Sequence, residues 1–166
     1  LEIDCRVGPG EILTVMGPSG SGKSSLLAYM AGFLAPEFDS RGTVLINGED
    51  IGSRAAEARR IGLLFQDPLL FPHLSVAGNL RFAMESGVKD KSRLISERLE
   101  EVGLAGFEDR DPGTLSGGQA SRVALLRLLL SAPNAVLLDE PFSKLDTQLR
   151  EGVRALVFEK LRASGL

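Results

Sequence analysis

The chain has 166 residues, enough for one domain with a real core. Apolar content of 43% and charged content of 25% are ordinary for a folded domain, and a formal net charge of −3 argues against a nucleic-acid binder, whose footprint is a basic face. The single cysteine, Cys5, rules out a disulfide framework, which fits a reducing compartment, and no apolar run approaches the ~20 residues of a membrane span.

Leu1, Ile3, Cys5 and Val7 alternate with polar residues and predict a strand, with Cys5 as a small core residue. Gly8-Pro9-Gly10 predicts a turn, and Ile12-Leu13-Thr14-Val15-Met16 a second, buried strand. The start lacks an initiator Met and has neither the basic nor the apolar region of a signal peptide. Ser164-Gly165-Leu166 follows directly on a predicted helix. Both ends suggest a segment of a longer protein.

Gly17-Pro18-Ser19-Gly20-Ser21-Gly22-Lys23-Ser24 fits the phosphate-binding pattern G-x-x-x-x-G-K-[ST] without mismatch. Its glycines let the backbone wrap a polyphosphate with N–H groups turned inward. The helix predicted from Leu26 onward adds the positive end of its dipole. Lys23 can reach β- and γ-phosphates, and the Ser24 hydroxyl can bind Mg²⁺. A Gly/Ser-rich turn that binds nothing is the competing reading; the strand before and the helix after favour phosphate.

Gly32 is a predicted helix end, and Pro36 to Ser40 a loop. Thr43-Val44-Leu45-Ile46 predicts a strand, and Asn47-Gly48 a hairpin turn. Ile61-Gly62-Leu63-Leu64-Phe65 is a further strand, ending at Gln66-Asp67-Pro68. The pattern then turns helical. Val76, Leu80, Ala83 and Met84 share one helical face behind Ser75 as N-cap, and Ile95, Leu99 and Val102 share another. Glu97, Arg98, Glu100 and Glu101 form a solvated face. Residues 69–115 therefore read as a helical insertion between two parts of a sheet.

Leu115-Ser116-Gly117-Gly118-Gln119 opens a long helix through Leu130. Ser116 and Gln119 fit the S-x-x-Q capping box, and two glycines at a capped helix start also present free N–H groups to an anion. A second phosphate-binding helix start of this kind could serve a partner chain's nucleotide. Ala135-Val136-Leu137-Leu138 predicts a buried strand that delivers Asp139 and Glu140 at its carboxyl end. Beside a phosphate loop, Asp139 can hold the phosphate-bridging Mg²⁺, and Glu140 can orient or deprotonate an attacking water; alone, the pair would be an acidic turn. Asp146 is a predicted N-cap for a last helix with Leu149, Val153, Leu156, Val157 and Leu161 as its apolar stripe. Strands alternating with helices predict an α/β fold with a mainly parallel sheet, whose ligands sit at the carboxyl ends of the strands.

The pentapeptide Leu115-Ser116-Gly117-Gly118-Gln119, between the phosphate loop (Walker A) and Leu137-Leu138-Asp139-Glu140 (Walker B), resembles the nucleotide-binding domain of ATP-binding cassette (ABC) transporters. The resemblance covers nearly the whole chain. It implies a P-loop NTPase core made of residues 1–68 and 116–166, incomplete at both ends, with a helical subdomain over 69–115. It implies ATP and Mg²⁺ as cofactors. The nucleotide would be bound by Gly17, Pro18, Ser19, Gly20, Ser21, Gly22, Lys23, Ser24 and Ser25, with Ser116, Gly117, Gly118 and Gln119 closing on the ATP of a second subunit. Gln66 would be the Q-loop glutamine, near Mg²⁺ and the transmembrane partner. The metal would be held by Ser24, Gln66 and Asp139. Glu140 would be the catalytic base, with Gln66 assisting, and Ser143-Lys144-Leu145-Asp146 the D-loop.

The run from Phe65 to Val76 looks especially like bacterial importer ATPases, whose solutes include oxyanions, iron, thiamine and polyamines. That implies an ATP-hydrolysing subunit, peripheral at the cytoplasmic face of the inner membrane. Its partners would be a permease, a second ATPase subunit in a homodimer and, through the permease, a solute-binding protein, with no nucleic acid. Lys144 and Leu126 stand where the family usually has small residues. The family's adenine-stacking aromatic and switch histidine are not within these residues, and His73 reads as a surface or interface residue of the Q-loop region. Without that histidine and its strand, residues 1–166 alone are expected to bind ATP weakly and hydrolyse it poorly. DNA-repair ATPases with related signatures carry long coiled-coil arms, whereas the stretch between Gln66 and Leu115 has no sustained heptads. Soluble ribosome-acting relatives usually pair two cassettes with basic linkers, which the acidic balance disfavours.

Overall fold

The computed structural model describes residues 2–142 and 147–163. Helix α1 spans Lys23–Ala31 and ends on Gly32, whose φ of 86° is the left-handed closing conformation. Arg59, buried to 8% exposure, caps the same end: its Nη1 donates to the Tyr29 and Met30 carbonyls at 2.8 and 2.9 Å. Its Nε and Nη2 donate to the Arg54 and Gly52 carbonyls. A helix carboxyl end carries partial negative charge, so the guanidinium is well placed there. A β-carbon on Gly32 would lie 2.8 Å from Arg59 Nε and 3.1 Å from Ala56 Cα. Gly32→Ala is therefore expected to cost about 1–2 kcal/mol from the backbone conformation alone, and more from the displaced guanidinium. Thermal denaturation of the full-length variant measures this, and an unchanged melting temperature would refute this account of the cap.

Strands β1 (Leu45–Ile46) and β2 (Glu49–Asp50) form an antiparallel hairpin. Its two turn residues, Asn47 and Gly48, have φ of 52° and 83°, the pair of positive values that a type I′ turn needs. Strands β3 (Ile61–Leu64) and β4 (Ala135–Leu138) pair in parallel, with Ile61 opposite Ala135 and Leu64 opposite Leu138. The described sheet structure is therefore mixed: the parallel pairing predicted for an α/β fold joins β3 and β4, and the other pairing is the hairpin.

Helices α2 (Val76–Ala83) and α3 (Lys91–Glu101) lie between β3 and β4 in the chain, followed by α4 (Gly117–Leu130); α5 (Thr147–Ala163) comes last. Ser75 caps α2, its Oγ accepting from the Gly78 N–H at 3.1 Å. Helix α4 is apolar on nearly every side, and its packing shows why. Val123 and Leu126 join Val76, Leu80, Met84, Ile95, Leu99, Val102 and Leu104 in one cluster with α2 and α3. Ala124 and Leu128 pack with Leu64 of β3. Leu125 packs with Val157 and Leu161 of α5. Gly62 allows the close approach to the sheet, since a β-carbon there would stand 3.0 Å from Leu128 Cγ. Leu126, where the resemblance expects a small residue, is a filled core position with 1% exposure. Lys160 of α5 donates to Glu101 Oε2 at 2.7 Å, and this hydrogen bond, with help from Arg98, holds the Glu101 carboxyl below its ordinary range.

Three expectations are corrected. Residues 2–16 form no strand: their hydrogen bonds close the turn at Gly8, where the Glu11 N–H donates to the Gly8 carbonyl at 3.0 Å. Alternation marks a segment able to enter a ladder, but a ladder needs a partner, and among the described residues this segment has none. Ile12 and Leu13 are accordingly about half exposed (48% and 52%) and Met16 is at 88%, so the predicted buried strand is neither buried nor a strand. Cys5, on the same unpaired segment, is exposed rather than core. In the Thr43–Ile46 run only Leu45 and Ile46 enter a ladder, although Val44 is buried and its carbonyl accepts from the Ile51 N–H at 2.9 Å.

Candidate nucleotide site

The predicted phosphate loop takes its shape from its glycines. Gly20 has φ of 80° and Gly22, the N-cap of α1, 89°; both are left-handed values that side chains resist. A β-carbon on Gly17 would meet Ser21 Oγ at 3.0 Å. The Ser21 N–H donates to the Pro18 carbonyl at 3.3 Å, closing the turn. No side chain caps α1 and its first turn carries no acid, so its amino end favours an anion. Lys23 folds back over the loop, with Nζ 2.9 Å from the Gly17 carbonyl and 2.8 Å from that of Pro18. Its ammonium therefore lies across the mouth of the cradle.

Asp139 meets this loop directly. Ser24 Oγ donates to Asp139 Oδ1 at 3.1 Å, joining the first turn of α1 to the carboxyl end of β4 across 115 positions of sequence. Asp139 is held in turn by its N–H, which donates to the Leu64 carbonyl of β3 at 2.9 Å and extends the parallel ladder by one bond. A hydroxyl and a carboxylate at this spacing are hard oxygen donors of the kind Mg²⁺ takes, so the residues fit that ion. Glu140 follows with φ of 45°, a conformation a non-glycine residue holds only where its surroundings impose it. Gln66 lies two residues beyond the end of β3 and is exposed. The register of β3 and β4 puts it at the same sheet edge as Asp139 and Glu140.

The predicted helix start at the pentapeptide is formed in full. Ser116 Oγ accepts from the Gln119 N–H at 3.3 Å, and Gln119 Oε1 accepts from the Ser116 N–H at 2.9 Å. The box thus uses the N–H groups of Ser116 and Gln119 and leaves those of Gly117 and Gly118 outside it. Arg122 fixes this start to its neighbourhood, donating to the Gly118 carbonyl at 3.2 Å and to the Val102 carbonyl behind α3 at 2.8 Å. The structure brings Lys23, Ser24 and Asp139 together. The hydrogen bonds of Ser116–Gln119 among the described residues stay within α4 and its packing partners. The D-loop residues 143–146 lie outside the described residues. His73 is exposed and stacks against Phe71, with ring centroids 5.8 Å apart.

Two residues near the site escape motif reading. Asn79 is fully buried in α2: its Oδ1 accepts from the Phe71 N–H at 2.7 Å, and its Nδ2 donates to the Phe71 and Ser75 carbonyls. Arg127 of α4 reaches the same segment, donating to the Leu69 carbonyl at 2.9 Å, and burial pushes its guanidinium below its ordinary value. Each left a trace in the sequence. Asn79 interrupts the apolar stripe of Val76 and Leu80, and Arg127 stands alone in the apolar run from Val123 to Leu130. A polar residue at such a position needs a buried partner.

Comparison with protein families agrees with this geometry: a family model described as "ABC transporter" matches residues 2–143. The chain belongs to the ABC transporter family. Members of this family bind and hydrolyse ATP, and the chain is an ATPase of this kind. It is 47% identical over 163 residues to the uncharacterized ABC transporter ATP-binding protein YnjD of Escherichia coli, covering 97% of this chain and 75% of that one. It is 45% identical to the thiamine import ATP-binding protein ThiQ of Cereibacter sphaeroides, covering 99% of this chain and 71% of that one. It is 42% identical to the spermidine/putrescine import ATP-binding protein PotA 1 of Pseudomonas aeruginosa, covering 97% of this chain and 44% of that one. The chain thus spans less than half the length of the polyamine relative. No helix among the described residues is long and apolar enough to cross a membrane.

Proposed function

We propose that the chain is the ATP-hydrolysing subunit of a bacterial ABC importer, driving transport by closing with a second copy on ATP. The contact between Ser24 and Asp139 at 3.1 Å carries the catalytic part of this reading, because it sets two Mg²⁺-type donors beside the loop that Lys23 spans. The import part is supported by the relatives, which are named for thiamine and spermidine/putrescine import.

On this reading residues 17–25 hold the phosphates, with Gly17, Pro18, Ser19, Gly20, Ser21 and Gly22 supplying the backbone cradle. Lys23 exchanges its two carbonyl partners for phosphate oxygens, and Ser25 completes the first turn of the binding helix. Ser24, Asp139 and Gln66 would hold Mg²⁺, which when bound supplies charge neutralisation at the phosphates. Glu140 orients and deprotonates the attacking water, and Gln66 helps to place it. The Gly117 and Gly118 N–H groups, with Ser116, contact the γ-phosphate held by the other subunit. The core would comprise residues 1–68 and 116–166, and the helical subdomain 69–115. The protein would sit at the cytoplasmic face of the inner membrane, against a permease that also meets a solute-binding protein.

The shared site is tested by mixing full-length chains. Lys23→Ala removes the phosphate ligand on one subunit, and Ser116→Arg blocks the signature on the other. Neither homodimer should turn over, whereas the mixed dimer keeps one intact composite site and should recover ATPase activity. Full activity from Ser116→Arg homodimers would overturn the shared site.

A further inference from the structure

Arg127 joins two parts of the site that motif reading treats separately. It sits near the carboxyl end of α4, ten positions after Gly117, the first residue of that helix. At a rise of about 1.5 Å per residue, the helix places it about 15 Å along the axis from its start. No proline interrupts α4, so the two ends move together.

Its guanidinium grips the chain just beyond Gln66. Nη2 donates to the Pro68 carbonyl at 3.2 Å, and Nη1 to the Leu69 carbonyl at 2.9 Å and to Asn79 Oδ1 at 3.4 Å. The guanidinium carbon lies 5.2 Å from the centroid of the Phe71 ring. Leu69 has φ of 45°, a left-handed value that a leucine adopts only under constraint. Two successive carbonyls held by one planar fork supply such a constraint, and a point-charge ammonium could not reproduce it. Its acceptors among the described residues are neutral, and a half-buried charge paired only with neutral groups gives little net stability. An apolar residue would suit this run of α4 as well for packing alone. The cost is explained if the residue fixes geometry.

We infer that Arg127 is a positioning residue that ties the Gln66 segment to the signature helix, so that Gln66 and Ser116–Gln119 shift as one body when ATP binds. The inference rests on the proposed roles of Gln66 and the signature. It adds that their relative placement is set by the fork between Arg127 and the Pro68 and Leu69 carbonyls. A rigid helix with a two-point grip is the physical element through which such coupling passes.

The test uses the full-length protein with Arg127→Lys, which keeps charge and length but loses the fork, and Arg127→Met, which keeps packing without donors. Three quantities are measured: ATP affinity, kcat, and hydrogen–deuterium exchange at residues 66–71 and 116–122 with and without a non-hydrolysable ATP analogue. The wild type should gain protection in both segments together. Arg127→Lys should bind ATP with near wild-type affinity and lose about 10–100-fold in kcat. It should also keep protection at 66–71 while losing it at 116–122. Joint protection and full turnover in both variants would overturn the inference. So would variants whose only change is a lower melting temperature, since that marks a merely structural role. A wild type that binds ATP without protection at 66–71 would remove the Gln66 reading and this inference with it. A wild type that binds no ATP would instead refute the nucleotide site itself.

Discussion

Lys23→Ala in the full-length protein is expected to weaken ATP binding on the order of 100-fold and to abolish measurable turnover. A unit charge about 4 Å from a phosphate oxygen is worth about 4 kcal/mol at an effective dielectric of 20. Part of that is offset, because Lys23 leaves two good carbonyl partners, at 2.9 and 2.8 Å, to meet the phosphate. The remainder corresponds to about two powers of ten in affinity. The glycine cradle and the α1 dipole stay in place, so some weak binding persists. Titration with a fluorescent ATP analogue and a phosphate-release assay read the two effects. Normal hydrolysis by the alanine variant would show that residues 17–24 are not the phosphate loop.

Glu140→Gln is expected to separate binding from chemistry. Glutamine keeps the shape and hydrogen-bonding reach of glutamate but cannot take a proton. Lys23, Ser24 and Asp139 are untouched, so ATP is still held. Turnover should fall by about 10²–10⁴-fold, the usual worth of a positioned general base. The substitution leaves the backbone at Glu140, with φ of 45°, without a new steric demand, since glutamine has the size of glutamate. With hydrolysis blocked, the closed pair of subunits should accumulate, visible as an ATP-dependent dimer in size-exclusion chromatography. A Glu140→Gln protein that stays monomeric and still hydrolyses ATP would rule out this residue as the base. The two variants thus fail differently: Lys23→Ala at binding, Glu140→Gln after it.

Much of the candidate site could be proposed from the sequence because its parts are contiguous. A phosphate loop is a local backbone shape, and Gly20, Gly22 and the start of α1 at Lys23 encode it without distant help. The capping box is equally local: Ser116 and Gln119 satisfy each other's N–H groups three residues apart. The Asn47-Gly48 turn, the Ser75 cap and the Gly32 stop belong to the same class. Ile12–Met16 misled for the complementary reason. Its apolar pattern states what the segment could pair with or cover, and pairing depends on residues elsewhere.

By itself, then, the sequence determined the short-range devices: the glycine-rich loop before α1, the helix starts and stops, and the adjacent acids Asp139 and Glu140. Each depends on a few neighbouring residues whose dihedral preferences and side-chain reach are intrinsic. Only the tertiary structure decided how those devices face one another. The parallel ladder of β3 and β4 carries Asp139 to within 3.1 Å of Ser24 and sets Gln66 at the same edge. The burial of α4 on three sides turns Arg127, a lone charge in an apolar run, into a grip on the Pro68 and Leu69 carbonyls. Such contacts join residues far apart in the chain, and their strength comes from desolvation and packing that exist only once the core has closed.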